Sequence, residues 1–111
     1  MALDIAKIAA AALDDKKGVD VKTLAVSDKT VLADYFVIAT GTASTHVKAL
    51  ADEVEFKLKE AGYPCGHIEG HGEWVLLDYH SVIVHVFTKN AREFYKLEKL
   101  WDGADTIEAE E

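Results

Sequence analysis

Four groups of side chains in this sequence are of types that could do chemistry. Cys65, His67, Glu69 and His71 stand at every second position. In an extended chain His67, Glu69 and His71 fall on one face, where imidazoles and a carboxylate could hold zinc. The plainer reading is a polar edge strand running into a glycine loop, because Gly70 and Gly72 make a rigid ligand cage hard to build. Gly70-His71-Gly72-Glu73 lacks the lysine and the spacing of a Walker phosphate loop, and no GxGxxG occurs. Asp34 and Asp78 fall at ends of expected strands, where α/β enzymes often place carboxylates. Metal-dependent nucleotidyl transfer needs several acids converging on the ions; each aspartate is alone on its strand, so capping the strand end is the preferred role. Cys65 as a nucleophile requires a histidine base in a setting that lowers its pKa, and only His67 is near. No catalytic constellation survives, and neither a cofactor nor a metal is implied.

Binding leaves a different trace. Trp74, Tyr79, His85, Phe87, Arg92, Tyr95 and Trp101 gather toward the C-terminal part of the chain, and aromatics with arginine are enriched at the energetic centres of interfaces. Aromatics are mostly buried in any case, so Phe87, Phe94 and Leu97 read as core. His85 on a valine-rich strand reads as a hydrogen-bonded structural residue. Trp74, at a strand start after the glycine loop, is the best interface candidate.

The elements that must position these residues follow from periodicity. Ala2 to Asp15 carries Ile5, Ile8, Ala9, Ala12 and Leu13 at helical spacing, with Gly18 just beyond. Val19 to Val26 reads as a half-exposed strand. Asp34 to Thr40 is a short apolar run closed by Gly41, as a strand buried on both faces would be. Thr42, Ser44 and Thr45 offer N-caps for a helix striped by Val47, Leu50, Ala51, Val54 and Leu58, which stops at Gly62 before Pro64. A further strand near Gly66 to Glu69 would complete a right-handed parallel unit. Trp74 to Tyr79 and Val82 to Thr88 form an antiparallel hairpin about His80-Ser81. Val82, Val84 and Val86 share one face of it, while Ile83, His85 and Phe87 share the other. Asn90 with Glu93 resembles a capping box for a last helix carrying Phe94, Leu97, Leu100 and Trp101. The fold class is α/β: a mixed sheet of about five strands flanked by three helices. Residues 1–104 form one domain and 105–111 a short acidic tail.

Composition bounds the rest. Half of the 111 residues are hydrophobic, 29% are charged, and there is one proline, which suits one folded domain. The longest apolar stretches are about six to eight residues, short of the roughly 20 that span a bilayer. Lys7 interrupts the first apolar stretch and Asp4 precedes it, so no signal peptide or membrane partner is expected. The one cysteine suits a reducing, cytoplasmic setting. Twenty acidic against 12 basic residues give a net charge of −8. That field repels phosphate backbones and argues against direct nucleic-acid binding as the main affinity, while favouring a basic partner. Exposed aromatics and an edge strand are compatible with a homodimer.

With these residues assembled, the chain resembles the ribosomal silencing factor (Iojap) family from about Leu3 to Trp101. The resemblance rests on consecutive blocks: Asp34 to Thr42, Thr45 to Asp52, Glu69-Gly70, Gly72 to Tyr79, Val82 to Phe87 and Ala91 to Trp101. It implies a nucleotidyltransferase-like fold without the active site. It also implies binding to the large ribosomal subunit through its fourteenth protein, at the face that meets the small subunit. Blocking subunit association there would repress translation under nutrient limitation, and organellar relatives imply a role in large-subunit assembly instead. In similar proteins the contact uses the hairpin, here Trp74, Leu76, Asp78 and His85, with Arg92 and Tyr95 beside them. The chain departs from the family at His80-Ser81, where relatives usually carry Gly-Asp. The remaining alternative is a metal-dependent nucleotidyltransferase using Asp34, Asp78 and the His67/His71 region.

Overall fold

A computed structural model describes residues 2–26, 33–95 and 105–107. The alanine-rich start forms α1, Ala2–Asp15, closed where Gly18 donates to the Leu13 carbonyl at 2.7 Å. Strands β1, Val19–Ala25, and β2, Tyr35–Gly41, pair antiparallel. Helix α2 runs Ser44–Glu60. An antiparallel hairpin follows, β3, His67–His71, with β4, Trp74–Asp78, and β4 pairs in turn with β5, Val82–Thr88. Helix α3, Lys89–Tyr95, and a short strand β6, Asp105–Ile107, complete the order. The sheet runs β3-β4-β5-β2-β1-β6.

The α/β reading with a mixed sheet and three helices holds. Asp105–Ile107, expected to open an acidic tail, instead adds a sixth strand beside β1; Thr106 and Ile107 are β-branched and suit a pleated edge. The strand at Gly66 to Glu69 is not the parallel partner of β2. That partner is β5, with Tyr35 opposite Val82 and Gly41 opposite Thr88. The physical reason is burial: β5 is apolar on both faces and takes the centre, whereas the exposed residues of β3 belong at an edge.

The helix starts also differ from expectation. Ala43 is the N-cap of α2 and offers no side-chain bond. Instead His46 reaches back, its Nδ1 accepting the Thr42 N–H at 2.9 Å while its Nε2 donates to the Lys16 carbonyl at 2.9 Å. One imidazole thus satisfies groups at the end of α1 and the start of α2. For α3 the cap is Thr88 rather than Asn90, its Oγ1 accepting the Ala91 N–H at 3.3 Å.

Two apolar clusters sandwich the sheet. On one face Val37, Ala39, Leu77, Val84 and Val86 meet α1 and α2 through Ala9, Leu13, Leu50, Val54 and Leu58. On the other Leu24, Phe36, Ile38, Phe87 and Ala91 form a smaller cluster, with Trp74 and Ile83 packed at its margin. Phe94 and Tyr95 lie in α3, but their side chains fall outside the described residues, as do Leu97, Leu100, Trp101 and Glu108–Glu111.

Candidate docking face of the sheet

The strand alternation puts Trp74, Leu76 and Asp78 on one side of β4, each half-buried, while Val75 and Leu77 turn into the larger core. Across the ladder Trp74 faces Phe87, Leu76 faces His85 and Asp78 faces Ile83. On the other flank His67 stands opposite Asp78 and Glu69 opposite Leu76. The result is a row of partly open side chains on the face away from α1 and α2. Ile83, half-buried on the same row, was not singled out from the sequence, although the alternation in β5 carries the signal.

Trp74 is held rather than loose. Its ring lies 5.2 Å from that of Phe87, and its indole N–H donates to His85 Nδ1 at 3.3 Å. That bond assigns Nδ1 as acceptor and leaves the ring proton on Nε2. His85 itself is only 4% exposed, its ring 5.1 Å from Phe36 in an edge-to-face contact. Burial pushes its pKa down to about 4, so the ring is neutral near pH 7. Its Nε2 finds no hydrogen-bond partner among the described residues.

Arg92, expected beside the contact surface, is 7% exposed. One guanidinium nitrogen donates to Thr40 Oγ1 at 2.7 Å and to the Asp20 carbonyl at 2.9 Å, and the Asp20 carboxylate lies 3.5 Å from the other. Asp20 stands in the left-handed region at φ 52, a conformation aspartate tolerates. Arg92 therefore ties α3 to β1 and β2. His85 supports the face from within, Arg92 braces α3 against β1 and β2, and Trp74, Leu76 and Asp78 present side chains on the face. Tyr95 ends α3, with its side chain outside the described residues.

Asp78 caps the turn, Oδ1 accepting the His80 N–H at 2.7 Å. His80 sits at φ 68, so the His80-Ser81 turn uses a left-handed residue without glycine. Asp34 reaches the same end of the sheet, its N–H donating to the Ser81 carbonyl at 2.7 Å, with β5 between the two aspartates. On β3 the register puts His67 and Glu69 on one face, opposite Asp78 and Leu76. His67 Nε2 and Glu69 Oε2 meet at 2.8 Å, and the Cys65 thiol donates to the His67 carbonyl at 3.4 Å. Among the described residues, no three histidine, cysteine or acidic side chains are grouped to hold a metal ion; the His71 side chain is not described. Gly70 and Gly72, at φ 83 and 74, shape the hairpin. Tyr79, behind the turn, is buried; burial first, with Cys65 and Glu55 adding, pushes its phenol above the ordinary range.

The family described as "Ribosomal silencing factor during starvation" matches residues 1–111. A ribosomal silencing factor of Chromobacterium violaceum is 46% identical over 102 residues, covering 90% of this chain and 84% of that protein. One from Bacillus subtilis is 44% identical, covering 90% and 86%. A crystal structure of a C. violaceum protein superposes with a TM-score of 0.90 at 42% identity, covering 100% of this chain and 94% of that one. A mouse protein named for mitochondrial assembly of the ribosomal large subunit is 33% identical, covering 74% of this chain but 38% of its own length. The shared architecture and a family match over residues 1–111 together place this chain in the ribosomal silencing factor family.

Proposed function

We propose that this protein binds the large ribosomal subunit on its inter-subunit face, through the subunit's fourteenth protein, and blocks the small subunit from joining. The observation that carries the reading is the row Trp74, Leu76 and Asp78, half-buried on a stiff β4 and backed by His85 and Phe87. Rigid, partly desolvated aromatic and aliphatic side chains are what interface centres are built from. The net charge of −8 attracts a basic ribosomal protein. The action is steric: a protein of this size seated there repels translation's second subunit by occupying its place. Such a factor works in the cytoplasm, and nutrient limitation is the condition in which silencing helps the cell. The name of the mouse relative favours a second reading, assistance in large-subunit assembly.

Sedimentation of purified large subunits with this protein tests the first reading. Co-migration is expected at low salt, together with fewer joined ribosomes when small subunits are added. Trp74→Ala should weaken binding by more than about 1 kcal/mol. Because Trp74 also packs inside, Leu76→Lys serves as the second variant. It should weaken binding comparably while leaving the unfolding midpoint nearly unchanged. Absence of co-migration at low salt would sink the proposal, and co-migration without loss of subunit joining would favour assembly over silencing.

A further inference from the structure

β3 is the outermost strand of the sheet, and its residues from His67 to Gly70 are exposed. Among the described residues it pairs on one side only, with β4, so alternate residues direct backbone N–H and C=O groups away from the sheet. Its sequence, His67-Ile68-Glu69-Gly70-His71, has no lysine or proline, the residues that most often blunt an open edge. Alongside, on the helix-covered face, α2 and the hairpin leave a groove of about 400 Å³. Ile68, Gly70 and Val75 line it from the sheet, and Ser44, Lys48 and Asp52 from α2. Ile68 is 42% exposed there. The charges of Lys48 and Asp52 are spent on each other at 3.0 Å, which leaves the apolar floor to dominate the groove. The opposite side of the same edge presents Glu69, with Asp78 one strand inward.

We propose that this edge accepts an extended, basic peptide segment as an added strand. Its backbone would bond to β3, and every second side chain, apolar, would enter the groove over Ile68. The alternate side chains, lysine or arginine, would lie beside Glu69 on the other face. The period of two in an extended chain matches this division of apolar and acidic sides, and the negative field of the whole chain favours the same sign. The inference does not depend on the Trp74 row or on ribosome binding.

The test is titration of isotope-labelled protein with the synthetic peptide Lys-Val-Lys-Val-Lys-Val-Lys, blocked at both ends, followed by amide NMR. Saturable shifts centred on residues 67–71 and on Ser44 to Asp52 are expected. Two versions of the peptide, N-methylated at alternate residues in either phase, keep every side chain and charge. At least one should bind about tenfold more weakly, because strand addition is carried by main-chain bonds. Ile68→Lys should weaken binding at least about fivefold, since it puts a like charge on the groove floor. The same variant should co-sediment with large subunits as the parent does, so this proposal and the docking reading fail separately. Equal binding by both N-methylated peptides would reduce the effect to charge adsorption and overturn the proposal. So would shifts centred on Trp74 and Leu76. Shifts on β3 that arise from protein concentration alone would overturn it too, by making a second copy the occupant.

Discussion

His85 is buried behind Trp74, and that burial has a consequence in pH. The His85 ring is neutral in the fold, with a pKa of about 4, while an unfolded histidine titrates near 6.5. Between these values the unfolded chain takes up a proton that the folded chain refuses. Stability is therefore fully present above about pH 6.5 and falls as pH drops toward 4, by an amount on the order of 3 kcal/mol. Urea unfolding at steps from pH 7.5 to 4.5 should show this fall, and His85→Phe should flatten it; identical slopes in both proteins would mean the burial is not felt. Alternation alone had assigned His85 to the face of Ile83 and Phe87 and favoured a structural role for it. Arg92 could not be read that way. Its partners, Thr40 and Asp20, come from β2 and β1, and no local pattern announces an arginine that folds inward.

At the scale of elements, Thr88 serves two masters. Its hydroxyl caps α3 through the Ala91 N–H and donates to Glu73 Oε1 at 3.1 Å, so one side chain joins the helix start to the β3–β4 turn. Thr88→Ala should lower stability by about 1 to 2 kcal/mol, and Thr88→Ser should restore most of it. A urea midpoint unchanged in the alanine variant would show that the cap is idle. Helices and strands were legible because hydrophobic period reports burial: α1, the stripe of α2 and the two faces of β5 all lie where their spacing put them. The caps were less legible. Thr42, Ser44 and Thr45 all have capping chemistry, yet the bonds at that end come from His46, whose second partner is the distant Lys16 carbonyl. Pairing partners were least legible, since β3 and β5 both follow α2 and only competition for the buried centre decides which lies beside β2.

For the whole molecule, charge is the property that the sequence exposes most directly. A partner attracted by a net charge of −8 is held partly by long-range forces, and these are screened within about 10 Å at 0.1 M salt. Affinity for large subunits should therefore fall steadily as salt is raised from about 0.05 to 0.5 M. Flat binding across that range would put the affinity in the apolar row alone. The candidate docking face was suggested by a cluster of residue types and by a family resemblance, but its depth was not legible. Which side chains stand proud and which brace them depends on the register Trp74 to Phe87 and Leu76 to His85, a three-dimensional fact.

The parallel ladder between β2 and β5 joins Tyr35 to Val82 across α2 and a complete hairpin. Contacts so far apart along the chain close late, because the loop between them must first be gathered. The hairpin of β3 and β4, whose partners are adjacent, is free to form early. During synthesis, α1, β1, β2 and α2 emerge before β4 and β5, which supply Val75, Leu77, Val84 and Val86 to their shared core. The larger cluster needs Val86 and the smaller one Ala91, so neither closes until most of the chain has been made. A protein of this family thus spends most of its own translation with an unfinished core beside the particle it is named for silencing.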